Sequence, residues 1–190
     1  MCRKAFGEYC CDFPADLLYT VKKGEKKERE REKEEEEKEK DETSTEARRA
    51  LVMAQGKRLA IVQEPPKEWD HTHMFDVGCM KELTGGEIID NGITQYKPMY
   101  KMIMPCDRFL HVPSDDGGSW RRIRRIDFAP FESKISDEIL TAWAPHFMSL
   151  LIESYARTRL NGLHEPDEVI RTSQSYQKEN EKRNSSSTIQ

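Results

Sequence analysis

Leu59-Ala60-Ile61-Val62 is an unbroken apolar run set between Lys57-Arg58 and Gln63-Glu64. A run this short and this apolar offers no polar face to water. It reads as a strand buried on both sides, the pattern of a central strand in a parallel sheet. Parallel neighbours require crossover connections, usually helical. This one segment therefore points to an α/β architecture. Tyr100 to Met104 is a second candidate strand and Ile123 to Phe128 a third. Between the first two, a helix is expected around Asp76 to Leu83, stopped by Gly85-Gly86.

The rest of the chain limits how large that fold can be. With 190 residues there is room for one ordinary domain. From Lys22 to Glu42 nearly every residue is Lys, Arg or Glu. Such a run cannot bury a core and reads as a solvated insertion in a surface loop, with an acidic interaction arm as the sharper alternative. Thr43-Ser44-Thr45 before Glu46 resembles a helix start, and Ala47 to Ala54 should be helical up to Gly56. Ser136 ahead of Asp137-Glu138 begins a second helix. Its apolar set, from Ile139 and Trp143 through Phe147 and Leu151 to Tyr155, recurs with helical period and is expected to pack as core. Pro145 should kink or split that helix, Gly162 should end it, and Pro166 should open another toward Tyr176. The polar stretch from Asn180 to Gln190 is expected to be disordered.

Composition removes several functional classes. A net charge of -4 rules out a general polycation, so any nucleic-acid contact must come from a local basic patch. The cysteines are Cys2, Cys10, Cys11, Cys79 and Cys106, none in C-x-x-C spacing, which reads as reduced thiols in an intracellular protein. His71, His73 and Cys79 come nearest to a zinc set, but their spacing is not that of paired ligands, and no metal site is assigned. No apolar stretch is long enough for a membrane span, and Met1 to Phe13 has no apolar signal region.

Glu64 is the first residue with a chemical reading. A carboxylate at the C-terminal end of a buried parallel strand lies where α/β sheets bind ligands. In nucleotide hydrolases an acid there orients Mg²⁺ or the attacking water. On its own it is equally an ordinary strand-end acid. Arg121, Arg122, Arg124 and Arg125 form the densest basic cluster. Taken alone, it is a patch for DNA phosphates or a solvated surface.

The order of segments adds a resemblance. Lys57 to Pro65 is followed by Leu83-Thr84-Gly85-Gly86-Glu87, then Pro105-Cys106-Asp107, then Asp115-Asp116-Gly117-Gly118-Ser119-Trp120-Arg121-Arg122-Ile123. In that order and at those spacings they resemble the ATPase core of superfamily 3 helicases. The closest likeness is to the poxvirus-type helicase-primase NTPases of large DNA viruses and related phage and plasmid primases. Ala5-Phe6-Gly7-Glu8-Tyr9 resembles the segment just after the Walker A helix. Trp143 to Met148 and Asn161 to Val169 resemble the region after the motor. The likeness covers most of Ala5 to Gln177 and skips the charged run. No Gly-x-x-x-x-Gly-Lys-Ser/Thr occurs in the sequence.

That resemblance implies a partial AAA+-like P-loop NTPase core, a mostly parallel sheet with flanking helices, followed by a C-terminal helical segment. The implied division is a remnant at 1–21, the charged insertion at 22–45, the motor core at 46–135, helices at 136–178 and a tail at 179–190. It further implies ATP and Mg²⁺ as cofactors and single-stranded DNA at a replication fork as partner. The assembly implied is a homo-hexamer that unwinds DNA. Glu64 would be the Walker B acid holding Mg²⁺. Asp107 stands at the sensor position, where the family has Asn. Arg122, or else Arg121, would be the arginine finger acting in trans. The Leu-Thr-Gly-Gly segment would lead into a DNA-engaging hairpin, with Glu87 where the family has Asp and no basic residue before Lys97. Lys97, Arg124 and Arg125 would face DNA. Without the backbone nest and Lys that hold the β- and γ-phosphates, this sequence alone is expected not to hydrolyse ATP. The alternative is a non-catalytic partner docking on an intact helicase ring, or a simple nucleic-acid binder.

Overall fold

In the computed structural model, residues 2–21, 46–67, 73–90, 92–107, 111–128 and 135–187 are described. The charged run and His71 lie outside them. Two units make up the chain. One comprises Glu8–Ser114; the other combines Met1–Gly7 with Asp115–Gln190.

The first unit is built on a three-stranded parallel sheet. Its strands are β1 (Cys10–Phe13), β3 (Leu59–Val62) and a strand at Lys101–Ile103, with β3 in the centre. The apolar run around Ala60 is thus the central strand, as its pattern demands, with Leu59, Ala60 and Val62 all buried. The third strand is not where the sequence suggested. Residues 123–128 form no strand, and Cys10–Phe13 takes the place beside β3 in register Cys10↔Leu59 through Phe13↔Val62. Phe13 is fully buried, with its ring edge-on to Tyr100 at 5.3 Å.

β2 (Tyr19–Val21) follows a 3-10 turn and pairs antiparallel with β4 (His73–Phe75). Residues 46–53 form helix α2, which buries Ala50. Helix α3 (Val77–Gly85) begins where Asp76 accepts a hydrogen bond from the Cys79 N–H at 2.9 Å. It ends at Gly86, whose φ of 75° is the left-handed cap glycine tolerates best. A short hairpin then forms from β5 (Ile89–Asp90) and β6 (Gln95–Tyr96), and Lys101–Ile103 follows as β7.

The second unit is helical. α1 (Cys2–Phe6) packs on α5 (Asp137–Asn161), with the Lys4 ammonium 2.8 Å from the Thr141 hydroxyl and 3.3 Å from the Asp137 carboxylate. Ser136 caps α5, and the helix runs unbroken through Pro145. The expected split does not occur, since residues 137–161 form one helix with Pro145 inside it. Helix α4 (Gly117–Trp120) is a single turn, and α6 (Asp167–Ser187) closes the unit.

Two expectations fail here for stated reasons. The stretch from Asn180 to Ser187 is helical, because α6 lays Tyr176, Asn180 and Asn184 along one face. Asn180 is 1% exposed, and the Asn184 amide donates to Asp115 at 2.6 Å. Residues 123–128 join no sheet, and in their middle the Arg125 backbone bonds to α6 side chains. The Ser173 hydroxyl accepts from the Arg125 N–H, and the Thr172 hydroxyl donates to the Arg125 carbonyl, both at 3.0 Å.

Candidate functional site

The site is assembled where two parallel strands end side by side. β3 stops at Val62 and its chain continues through Gln63, whose N–H donates to the Phe13 carbonyl at 2.8 Å. That bond extends the β1–β3 ladder one residue further and delivers Glu64 to the sheet edge. β7 stops at Ile103 and passes through Pro105-Cys106 to Asp107. The Asp107 backbone N–H donates to Glu64 Oε1 at 3.0 Å. Two residues separated by 43 positions are thus joined at the C-terminal ends of neighbouring strands. This is the edge at which open α/β sheets bind ligands.

Both carboxylates are exposed. Only one Glu64 oxygen is engaged by that bond, so lone pairs remain for a further ligand. Cys106 lies beside the pair, and its thiol is pushed up from its ordinary value by burial first and then by the charges of Glu64 and Asp107. The local field is negative, suited to a cation and repulsive to a bare phosphate. Mg²⁺ is usually held by one or two carboxylates with the remaining positions filled by water and substrate phosphates. Glu64 and Asp107 fit that partial role. No cluster of three or more His, Cys, Asp or Glu able to hold a metal occurs among the described residues.

The Leu83-Thr84-Gly85-Gly86 segment is the end of α3. The Thr84 hydroxyl donates back to the Met80 carbonyl at 2.7 Å. The hairpin that follows is short, and its tip is held from within. Asp90 accepts from the Gly92 N–H at 2.8 Å and from the Gln95 amide at 3.1 Å, which holds its carboxyl below the ordinary range, the Gly92 bond contributing most. Ile93 at the tip is 74% exposed. Lys97 is exposed just past β6, beside Gly86. A basic residue that sequence spacing did not reveal is also here. The side chain of Arg48, on α2, runs alongside Gly92, close enough that a Cβ there would meet its Cδ and Nε at 4.0 Å. Nothing in the linear sequence could signal it, because α2 precedes the hairpin by a long interval.

The arginine segment belongs to the second unit and is built on α4. Asp116 caps that turn, accepting from the Ser119 N–H at 2.9 Å and its hydroxyl at 2.8 Å. Gly118 is needed because a Cβ would sit 2.8 Å from the Asp116 carboxylate. Ser119 and Trp120 are buried, and the Trp120 ring meets Tyr176 edge-on at 5.4 Å. This anchoring leaves four arginines leading out of the turn, and most of them are engaged. Arg122 Nη1 donates to the Gly118 carbonyl at 2.5 Å. Arg124 is paired with Glu165, and Arg125 with Asp127 at 2.8 Å. Arg121 is exposed, and among the described residues no side-chain hydrogen bond or ion pair holds its guanidinium.

The α5 face expected as core is open. Trp143 and Leu150 are each 53% exposed, and only Ala144 of the helix is buried. Among the described residues no helix is long and apolar enough to cross a membrane.

No family model matches the chain. It is 28% identical over 162 residues to a protein of Acanthamoeba polyphaga mimivirus described as "Putative helicase L207/L206". The match covers 71% of this chain, which spans 16% of the viral protein's length. The likeness is distant and partial, and it supports a helicase-like relationship.

Proposed function

We propose that the chain forms part of the ATPase site of a viral-type DNA helicase of superfamily 3. The observation that carries this reading is the Glu64–Asp107 hydrogen bond across the C-terminal ends of β3 and β7. The order of motifs in the sequence and the likeness to a viral helicase support it.

In this reading Glu64 is the strand-end acid that holds Mg²⁺ and orients the attacking water. Bound with ATP, Mg²⁺ would supply charge neutralisation between the β- and γ-phosphates. The Asp107 N–H fixes the Glu64 carboxylate rotamer, so the free lone pairs of Glu64 stay directed outward. The Asp107 side chain adds a second oxygen ligand for the cation. It cannot donate to a γ-phosphate as an Asn could. Arg121 serves as the finger for a neighbouring subunit, since Arg122 already donates to its own helix turn. Lys97, together with Arg48, is the basic surface offered to DNA near the hairpin. Arg124 and Arg125, each paired with a carboxylate, contribute less. A Walker A segment supplied by another polypeptide or by further sequence would complete the site.

The test is a titration of a fluorescent ATP analogue with Mg²⁺ into the chain, alone and joined behind a P-loop strand and helix. The joined protein should bind, and Glu64→Gln should abolish its hydrolysis while sparing binding. Hydrolysis unaffected by Glu64→Gln would sink the assignment. So would tight Mg²⁺-dependent ATP binding by the chain alone.

A further inference from the structure

The exposed side of α5 carries a continuous seam. Ile139, Trp143, His146 and Leu150 occupy its first half, and Glu153, Arg157 and Leu160 its second. Successive members alternate four and three residues apart, so they fall on one stripe of the helix in a/d-type spacing. Every one of them is exposed, and Leu160 and the following Leu163 are 86% and 83% exposed. Trp143, His146, Phe147 and Leu150 line an open apolar groove on the same helix. One helix thus carries both a groove and, in its last turn, a protruding leucine.

We propose that this seam docks a second copy of the chain, with the two α5 helices antiparallel and crossing near Tyr155. Positions equidistant from Tyr155 then face each other. Glu153 meets the second copy's Arg157, and Arg157 meets the second copy's Glu153. Leu150 meets the second copy's Leu160, so each copy's Leu160 enters the other's groove at its Leu150 end. Antiparallel coiled pairs place a-type against d-type positions, and the seam satisfies this at each of the 150/160 and 153/157 layers. A parallel arrangement would set Glu153 against Glu153 and Arg157 against Arg157, repelling at both layers. The charge pattern therefore selects both the occupant and its direction: an isologous two-fold contact in which one patch complements itself. This surface is independent of the Glu64 edge and does not rest on the proposed helicase reading.

The test is sedimentation of the purified chain over a concentration series, with charge variants on exposed positions. The unaltered chain should form dimers. E153R and R157E should each weaken self-association by roughly tenfold, since each places two like-charged pairs in the contact. Mixing E153R with R157E should restore dimers, because the mixed pair is again complementary, and the double swap E153R/R157E should dimerise by itself. Circular dichroism should be unchanged throughout. A chain that stays monomeric overturns the proposal and leaves the seam to a different partner. Dimers indifferent to both charge variants, or no rescue on mixing, overturn it as well.

Discussion

Replacing Phe13 by alanine tests whether β1 is a structural member of the sheet that presents Glu64. Phe13 is fully buried, edge-on to Tyr100 at 5.3 Å, and its carbonyl accepts from the Gln63 N–H, the residue next to Glu64. Truncating a buried Phe to Ala costs about 3–5 kcal/mol in lost transfer energy and cavity formation. The edge-to-face contact with Tyr100 is part of that figure, at about 0.5–1.5 kcal/mol. Domains of this kind are stable by only about 5–15 kcal/mol, so the loss is a large share. Native-state hydrogen exchange reads it locally. Protection of the Arg58 and Gln63 amides, which donate to Tyr9 and Phe13, should fall by roughly a hundredfold to ten-thousandfold. Urea unfolding should shift to lower midpoint by about 2–3 M, taking a slope near 1.5 kcal/mol/M. Phe13→Leu should cost about 1–2 kcal/mol, and Thr20→Ala, exposed on β2, within about 0.5 kcal/mol. If the Phe13→Ala protein keeps full protection at Arg58 and Gln63, β1 does not brace β3 and the account of the site edge fails.

Further outcomes follow from single contacts. Gly86→Ala should lower stability by about 1–2 kcal/mol in thermal melts, from left-handed strain alone, since the nearest atom to the added Cβ is the Lys97 side chain at an ordinary 3.8 Å. Gly118→Ala should cost about 1 kcal/mol by displacing the Asp116 cap, and no further loss should appear when Asp116 is already Ala, in a double-mutant cycle. Burial pushes the Cys11 and Cys79 thiols from 9.0 to about 11, so their alkylation at pH 8 should run roughly a hundredfold slower than that of an ordinary thiol. The linked sign is that these thiols favour folding below pH 9 and lose that contribution as pH rises from 9 to 11, visible as a falling melting temperature. Burial, with Glu46 nearby, raises the Asp16 carboxyl, so its ionised form opposes folding at neutral pH. Asp16→Asn should therefore stabilise at pH 7, an advantage that shrinks as pH falls toward the ordinary carboxylate value and is gone below it in denaturant titrations.

Some of this protein was readable residue by residue. The apolar run at Leu59–Val62 is the central strand because four consecutive apolar positions, three of them buried, have no other stable use. Asp76 and Ser136 fix the starts of α3 and α5 by accepting from N–H groups three residues on, and Gly86 and Gly162, both at positive φ, mark their ends. Glu64 was singled out by its place after an apolar run, and Asp107 by what the family resemblance implies for its position. Only parallel pairing of β3 with β7 brought them together, with the Asp107 backbone N–H donating to the Glu64 carboxylate at 3.0 Å.

What the sequence by itself could not determine depends on distant partners. Ile123–Phe128 has the composition of a strand, yet the Arg125 N–H and carbonyl within it are met by Ser173 and Thr172 of α6, and Cys10–Phe13 fills the sheet instead. Local pattern cannot choose between two apolar segments competing for one sheet edge. The polar end of α6 is ordered because Asn184 donates to Asp115 and Asn180 is buried, features with no apolar signature to announce them. Helical periodicity on α5 indicated an apolar face, but not what covers it. Only the tertiary structure decided that α1 lies along one side and that the Trp143–Leu150 stripe is left open, because burial is a property of neighbours and periodicity is a property of one helix.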